Sequence, residues 1–471
     1  MNHPPGDDDD ALPSLSSIKP SVSGIAQSIM PKMGFRGKNV SFIITIDKMP
    51  AVDWKEFLNS EVFPDFSDGY NENLYYNRED ERALREQTEI VREAELESRR
   101  TRRERMMQEY KLAFKEWEGK SSHSSQPEII EILSSDDRHF GAIKVLGEGQ
   151  FGRVYEAIDL NDPSKKHCAI KVAKPDFRYR QHALHEVQVM RTLKESSSPE
   201  ELNYILKLDT FFIDKDRVCI VFEALSYNLF EVLKLRSFKG LPLFLVQSVI
   251  RQLLISLITL EKCGIVHSDI KPENILLVKP DSSDIKLADF GSARFTSLPC
   301  SSYTQSRYYR APEVVLGIEH DFRIDIWSVG CVAFELFSSM PLFAGQNEVH
   351  LLQLIVKIMG QFPSHVVKKS PRKRELFLVD YKLKSEEQIC SEQKRSVTDF
   401  QYYFAYNTLD EIVMNYENVK QTSEASRESE RKRRVLFLDL LKKMLNLDPL
   451  QRITAQQALG HPFLKANMSQ L

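Results

Sequence analysis

Eight residues in the middle of the chain, H-S-D-I-K-P-E-N at 267–274, constrain its fold and chemistry most strongly. Apolar runs on both sides of them predict short buried strands that hold the stretch in place. Phosphoryl transfer from a magnesium nucleotide needs such a set, because a hydroxyl must be oriented, γ-phosphate charge neutralised and a metal held. We therefore predict that Asp269 accepts the hydroxyl proton, Lys271 contacts the γ-phosphate and Asn274 binds magnesium.

A glycine-rich string, G-x-G-x-x-G, occupies residues 147–152. Dinucleotide-binding folds carry the same string between a strand and a helix, but here strands are predicted on both sides of it. The string therefore predicts a hairpin whose backbone amides approach phosphate oxygens, since glycine places no Cβ in the way. Lys171, on a third predicted strand, would reach the α- and β-phosphates, and Glu186 on the next predicted helix is its expected partner.

A second acidic motif, D-F-G, begins at Asp289 directly after a short predicted strand. Magnesium takes one or two carboxylates together with phosphate oxygens, so Asp289 and Asn274 are the expected metal ligands. Further along, Asp325 begins a long apolar helix and is expected to anchor the catalytic loop. Arg452 near the end of the chain is the expected salt-bridge partner of Glu313.

Composition limits the class of protein. The 471 residues carry a net charge of −3 and are 42% hydrophobic, which fits a globular chain and gives no case for direct nucleic-acid binding. Six cysteines without C-x-x-C spacing are typical of reduced thiols. The start lacks a secretory signal, and no run approaches the roughly 18 apolar residues of a membrane span. We expect a protein of the cytoplasm and/or nucleus with no membrane association.

The chain divides by composition into five parts. Residues 1–80 are polar and predicted to be largely disordered, whereas 81–120 are rich in strong helix formers and predict a charged helix. An apolar stripe on that helix either packs on its own domain or grips a partner. The remaining parts are a linker at 121–138, a periodic domain at 139–463 with an insert at about 369–434, and a tail at 464–471.

With these motifs in this order, residues from about 140 to 463 resemble a eukaryotic protein kinase. The string Y-T-Q-S-R-Y-Y-R-A-P-E at 303–313 resembles the CMGC group, and the segments 221–229 and 347–349 resemble its DYRK family of dual-specificity kinases. The resemblance implies an α+β bilobal fold, with a small antiparallel-sheet N-lobe and a larger, mainly helical C-lobe. It also implies ATP and Mg²⁺ as cofactors, and proline-directed phosphorylation of serine and threonine in protein substrates.

The resemblance also completes the nucleotide site and adds a switch. Adenine is expected to bond to backbone groups of Glu223 and Leu225, with Phe222 narrowing the pocket behind them. Autophosphorylation is expected at Tyr303, whose phosphate Arg307 and Arg310 would bind. The expected ATP contacts are Leu146, Gly147, Glu148, Gly149, Gln150, Phe151, Gly152, Arg153, Val154, Ala169, Lys171, Glu186, Phe222, Glu223 and Leu225.

Some features depart from the DYRK pattern. Ser268 stands before the catalytic aspartate, where most kinases have arginine and DYRK members usually have cysteine. The insert at about 369–434 is closer in position to that of the pre-mRNA-processing kinases, and homeodomain-interacting kinases are also similar. A pseudokinase scaffold is a further alternative, although pseudokinases usually lack one of the chemical parts that are all present here.

Overall fold

The computed structural model describes residues 129–134, 138–149, 151–164, 166–300, 303–394, 397, 402–416 and 424–466. These residues fall within one compact unit of the chain. The predicted disordered region at 1–80 and the predicted helix at 81–120 lie outside the described residues, as does Gln150.

The N-lobe is a six-stranded sheet whose strand order is β1-β2-β3-β4-β6-β5, with every neighbouring pair antiparallel. Residues at alternate positions of the strands, such as Cys168, Ile170 and Val172, supply the apolar core on one face of the sheet. Helix α1 (Phe177–Ser196) begins at the cap Asp176 and buries an apolar stripe that includes Val187, Met190 and Leu193. The strands are β1 (Glu131–Ser134), β2 (His139–Glu148), β3 (Gly152–Asp159), β4 (His167–Ala173), β5 (Leu208–Asp214) and β6 (Arg217–Glu223).

The glycine string forms the turn of the hairpin between β2 and β3. The pairing of the two strands shifts between Val145 and Gly147, which bends the strand over the cleft. At Gly152 a Cβ atom would lie 2.1 Å from the carbonyl oxygen of Val172 on β4. The third glycine of the string is therefore required by close backbone packing rather than by a special torsion angle.

The C-lobe is built on two long buried helices, α3 (Leu243–Lys262) and α5 (Arg323–Ser338). The catalytic loop lies between the short strands β7 (Ile265–Val266) and β8 (Ile275–Leu277), and β8 pairs with β9 (Ile285–Leu287), while β10 (Arg294–Phe295) pairs with β7. The other helices are α2 (Leu229–Leu235), α4 (Pro312–Val315), α6 (Glu348–Met359), α7 (Ser364–Lys369), α8 (Lys373–Leu376), α9 (Glu386–Glu392), α10 (Leu409–Asn415), α11 (Glu424–Met444), α12 (Ala455–Leu459) and α13 (Pro462–Lys465).

One described helix has a length and composition that would allow membrane crossing, contrary to the expectation that no segment approaches this limit. It is α3, and 61% of its most apolar 18-residue window is buried inside the protein. Its apolar side chains pack against α5 and α12, so burial within the C-lobe accounts for its composition.

Both ends of the periodic domain extend beyond the predicted boundaries. The predicted linker at 121–138 contains β1, whose Leu133 is fully buried and which pairs with β2. The predicted tail at 464–471 begins inside α13, and Leu464 is also fully buried. Both segments have only four residues and are held by distant parts of the chain, so their own periodicity is too short to indicate them.

The insert at about 369–434 packs into the C-lobe. Its described parts include α8, α9 and α10, with buried residues on each, such as Leu376, Ile389 and Val413. The segment is therefore an elaboration of the lobe in its described parts, rather than a separate unit.

Candidate active site

The first turn of α5 binds the backbone of the catalytic loop. Asp325, 2% exposed, accepts hydrogen bonds from the backbone amides of His267 (2.7 Å) and Ser268 (3.0 Å). Ser268 has a φ of 64°, a left-handed backbone that these bonds help to maintain. Burial raises the pKa of Asp325 to about 7, although the two amides act in the opposite direction. The structure thus brings Asp325 to the loop it was predicted to anchor.

Asp269 lies at the centre of a dense group of hydrogen bonds. The Lys271 ammonium donates to its Oδ2 at 2.7 Å, and the Ser306 hydroxyl donates to its Oδ1 at 2.6 Å. Asn274 donates from Nδ2 to the backbone oxygen of Asp269 (2.8 Å) and to Oδ2 (3.2 Å). Burial would lower the pKa of Lys271, but the charges of Asp269 and Glu273 raise it, which keeps the ammonium protonated.

Lys171 joins the two lobes. Its ammonium lies 2.8 Å from Glu186 Oε2 on α1 and 2.8 Å from Asp289 Oδ1. Burial alone would lower the pKa of Lys171, but the two carboxylates raise it. Burial alone would raise the pKa of Asp289, yet Lys171, with a smaller contribution from Lys271, holds it well below its usual range. Burial raises the pKa of Glu186, whereas the charge of Lys171 acts in the opposite direction.

Two side-chain oxygens at the site are suited to binding a metal. Both hydrogen bonds of the Asn274 amide nitrogen go to Asp269, so its Oδ1 remains available as a ligand. Asp289 uses Oδ1 for Lys171, and its side chain is 42% exposed, which leaves Oδ2 accessible. An amide oxygen and a carboxylate oxygen fit the preference of Mg²⁺ for oxygen ligands.

The nucleotide end of the cleft is formed by β2, β3, β4 and the segment after β6. Ala169 pairs with Phe222 across β4 and β6, and Lys171 lies two residues further on the same face of β4. Phe222 is 5% exposed, whereas Leu225 is half-buried. The glycine turn is closed by a hydrogen bond from the Gly149 amide to the Gly152 carbonyl (2.9 Å). Around this turn Leu146, Glu148 and Arg153 are exposed, Phe151 and Val154 are half-buried, and Gly147 is buried.

One lysine was not anticipated from the sequence. Lys286 on β9 is 5% exposed and lies 3.0 Å from Glu223 Oε1 at the end of β6. Glu223 Oε1 also accepts a bond from the Lys207 amide at 2.8 Å. These contacts hold Glu223, the residue whose backbone is expected to bind adenine. The sequence signal for Lys286 was a single lysine within an apolar strand, where a charge is costly to bury alone.

Tyr303 lies beside both predicted arginines. The Arg310 guanidinium is 4.0 Å from the centre of the Tyr303 ring, and hydrogen bonding from Arg310, aided by Arg307, lowers the pKa of the Tyr303 hydroxyl. Arg310 is 1% exposed and is fixed by the carbonyl oxygens of Thr304 and Gln305. Tyr303 itself is 63% exposed.

Two acids of the C-lobe, Glu273 and Glu335, are partly or wholly buried. Glu273 is half-buried, and its Oε2 is buried without a hydrogen-bond partner among the described residues. Burial raises the pKa of Glu273, and it raises the pKa of Glu335 on α5 to about 8. Glu335 accepts a hydrogen bond from the Tyr309 hydroxyl at 2.7 Å.

The predicted pair at the base of the lobe is also brought together. Arg452 donates to both carboxylate oxygens of Glu313, at 2.6 and 2.9 Å, and both side chains are almost completely buried. This bidentate pair connects the last part of the domain to α4, directly after the segment that holds Tyr303.

Ser306 is a further site residue that the motifs did not indicate. Ser306 lies in the Q-S-R string, and its contact with Asp269 spans 37 positions. Such a contact has no local pattern. The string itself was the only available signal.

Comparison with known proteins agrees with this geometry. The protein kinase domain family matches residues 140–464. The probable serine/threonine-protein kinase yakA of Dictyostelium discoideum is 38% identical over 71% of this chain and 24% of its own length. The dual specificity protein kinase YAK1 of Saccharomyces cerevisiae is 34% identical over 71% of this chain and 43% of its own. The probable serine/threonine-protein kinase dyrk2 of Dictyostelium discoideum is 35% identical over 69% and 33%.

These relatives are longer proteins, and the chain spans less than two thirds of the length of each. The family match covers more than half of the chain and includes the glycine turn, Lys171, the catalytic loop and the D-F-G motif. The chain therefore belongs to the protein kinase family, and the relatives confirm the predicted DYRK-type member of the CMGC group.

Proposed function

We propose that the chain is an ATP-dependent protein kinase that phosphorylates serine and threonine before proline in protein substrates, and tyrosine on itself at Tyr303. One observation carries this proposal. Lys171 is paired with both Glu186 and Asp289, while the Asp269 carboxylate faces the cleft from the adjoining loop. A scaffold that only bound partners would have no need to keep so many charges buried together.

The residues have separable roles in this proposal. ATP supplies the phosphoryl group, and Mg²⁺ held by Asn274 and Asp289 neutralises its charge when bound. Lys171 orients the α- and β-phosphates. Asp269 receives the proton of the substrate hydroxyl, and Ser306, whose own hydroxyl is 2.6 Å from Oδ1, marks where a hydroxyl can bind that carboxylate.

Substrate choice follows from the charges along the cleft. Glu273, a half-buried acid two residues after Lys271 in the catalytic loop, is expected to pair with an arginine upstream of the target residue, because a carboxylate and a guanidinium form strong charge-assisted hydrogen bonds. Arg310 directly precedes A-P-E, the place where CMGC kinases favour proline after the target. We expect R-x-x-[ST]-P peptides to be preferred. Equal rates for proline and alanine at the following position would contradict this part of the proposal.

Glu273→Gln offers a matched test of the upstream subsite. The substitution keeps the shape of the side chain and removes its charge, so it should lower the rate for arginine-containing peptides and leave that for alanine-containing peptides nearly unchanged. Loss of both rates in equal proportion would mean that Glu273 acts on the catalytic loop instead.

The switch at Tyr303 supplies the experiment for autophosphorylation. A phosphate at this position carries nearly two negative charges, and Arg307 and Arg310 lie close enough to bind it. Tandem mass spectrometry of protein made in bacteria should show phosphate on Tyr303, which Asp269→Asn abolishes. Tyr303→Phe should lower peptide turnover severalfold. An unphosphorylated Tyr303 in a fully active preparation would remove the switch and leave the serine/threonine activity standing.

The proposal extends to location and partners. Protein substrates are the expected partners, with a further partner for the predicted helix at 81–120, in the cytoplasm and/or nucleus. Fractionation of cells that express the full chain would test the location, and recovery in a membrane fraction would contradict it.

A further inference from the structure

A basic surface lies on the C-lobe outside the catalytic cleft. It is formed by α7, α8 and the turn at 377–383, and we refer to it as the basic turn. Residues 364–384 contain seven lysines and arginines but only two acids, which leaves a clear excess of positive charge. Five of these bases are exposed: Lys368, Lys369, Lys373, Arg374 and Lys382.

Contacts connect two of these bases to each other and to the turn. Lys373 Nζ reaches the carbonyl oxygen of Lys368 at 3.4 Å, and Lys368 Nζ lies 5.2 Å from the centre of the Tyr381 ring. Lys382 belongs to the turn itself, where its backbone carbonyl accepts from the Leu378 amide at 2.8 Å and its ammonium lies 3.1 Å from Asp380 Oδ2. Lys368 thus contacts both the turn, through Tyr381, and Lys373 on α8.

Backbone hydrogen bonds close the turn, and it exposes apolar side chains to solvent. Phe377 and Leu383 form a bridge at its base and are both buried. Tyr381 donates to the Leu378 carbonyl at 3.0 Å with a φ of 66°, a conformation that a non-glycine residue adopts only when its surroundings enforce it. At the tip, Val379 is 99% exposed and Leu378 is 41% exposed. Adjacent exposed apolar groups on a fixed turn are typical of a contact surface.

The basic turn is connected to the substrate end of the cleft. Arg372, at the start of α8, donates to Glu348 Oε2 at 2.9 Å and to the Val315 carbonyl at 2.8 Å. Glu348 Oε1 is 3.0 Å from Arg310, the residue expected to border the position after the target. A single carboxylate thus joins Arg310, in the segment before A-P-E, to Arg372 at the start of α8, so the basic turn adjoins that segment.

We propose that the basic turn binds an acidic segment of the protein substrate that carries an apolar residue and follows the phosphorylated site. This inference rests on the proposed kinase function and names a second contact for the same substrates. Charge complementarity selects the acidic partner, and the exposed Val379 and Leu378 select the apolar residue. The connection through Glu348 to Arg310 favours a protein segment over an anionic membrane, because a substrate bound in the cleft already lies beside the segment that Arg310 belongs to.

Two peptides with the same R-x-x-S-P core test the proposal in the full chain. One ends after the core, and the other continues into an acidic extension with one leucine. We expect the extension to lower KM about fivefold, the effect of two exposed ion pairs, and 0.5 M salt to remove most of this advantage. The double variant Lys368→Glu/Lys373→Glu should lose the advantage while keeping the KM and kcat of the core peptide.

The controls separate the possible failures. The variant Lys194→Glu/Lys279→Glu makes the same charge change at exposed positions elsewhere and should retain the advantage of the extension. Val379→Ser, which keeps all charges, should reduce the advantage about twofold and covers the case in which the double variant unfolds. If the core peptide is phosphorylated but the extension has no effect on KM, the docking proposal is overturned and the kinase function stands.

Three further outcomes complete the test. If neither peptide is phosphorylated, the proposed function itself fails. Equal losses in the two lysine double variants would show a non-specific charge effect and overturn the docking proposal. Binding of phosphatidylserine vesicles that Lys368→Glu/Lys373→Glu abolishes, without any effect of the extension on KM, would assign the basic turn to a membrane surface.

Discussion

Arg452→Met should destabilise the protein strongly, because it removes one half of a buried ion pair. The guanidinium donates twice to Glu313, also bonds to the carbonyl oxygens of Asn446 and Arg323, and lies 5.2 Å from the centre of the Trp327 ring. Without it the Glu313 carboxylate stays buried and unpaired. Loss of one partner of such a pair costs about 3–5 kcal/mol. That is a large part of the roughly 5–15 kcal/mol that stabilises a folded domain.

Urea unfolding followed by circular dichroism measures this change as a shift of the midpoint and of the extrapolated free energy of unfolding. Lys262→Met provides the matched control, since its pair with Glu201 at 2.7 Å lies on the surface and should contribute almost nothing measurable. The double variant Glu313→Leu/Arg452→Met should recover part of the loss, because no unpaired charge remains. A free energy for Arg452→Met within error of that for Lys262→Met would refute the reasoning.

Three further outcomes are expected. Lys171→Arg should lower phosphate transfer from labelled ATP at least about a hundredfold, because a planar guanidinium cannot replace the compact ammonium between two carboxylates; retention of a tenth of the activity would contradict this. Lys286→Met should raise the KM for ATP severalfold and leave the KM for peptide unchanged, since Glu223 loses its partner at 3.0 Å; an equal rise in both values would indicate general damage. Burial raises the pKa of Glu335 to about 8. Between about pH 4.5 and pH 8 the folded protein therefore retains a proton that the unfolded chain loses, so the contribution of this group to the free energy of unfolding falls as the pH rises across that range. Glu335→Gln should therefore gain in Tm relative to the original protein between pH 5 and pH 8, and a constant Tm difference would contradict the assignment.

Much of the fold and of the site was predictable because short motifs carry it. The glycine string between two strands, the lysine on the third strand and the H-x-D-x-K-x-x-N loop each have a local pattern with a chemical reason. The structure brings Lys171 to Glu186 and Arg452 to Glu313, pairs that are distant in sequence. These pairs could be anticipated because each contains a charge that is costly to bury alone.

Other contacts had no such signal. Three contacts depend on tertiary packing alone. They are the hydrogen bond from Ser306 to Asp269, the ion pairs of Glu348 with Arg310 and Arg372, and the ion pair of Lys286 with Glu223. Strand β1 escaped prediction for a similar reason, since its four residues become a strand only when paired with β2. Local periodicity cannot reveal a partner that is brought near only by folding.

The most direct test of the account is the rate of phosphate transfer from labelled ATP to an R-x-x-S-P peptide by Asp269→Asn. The substitution preserves the shape of the side chain but removes the charge, the proton acceptor and one of the two oxygens that accept hydrogen bonds from Lys271, Asn274 and Ser306. We predict a loss of about 3–5 kcal/mol in transition-state stabilisation, and hence a fall of at least a hundredfold in kcat, in protein that circular dichroism shows to be folded. A kcat within tenfold of the original value would contradict the assignment of Asp269 as the catalytic base and, with it, the central claim.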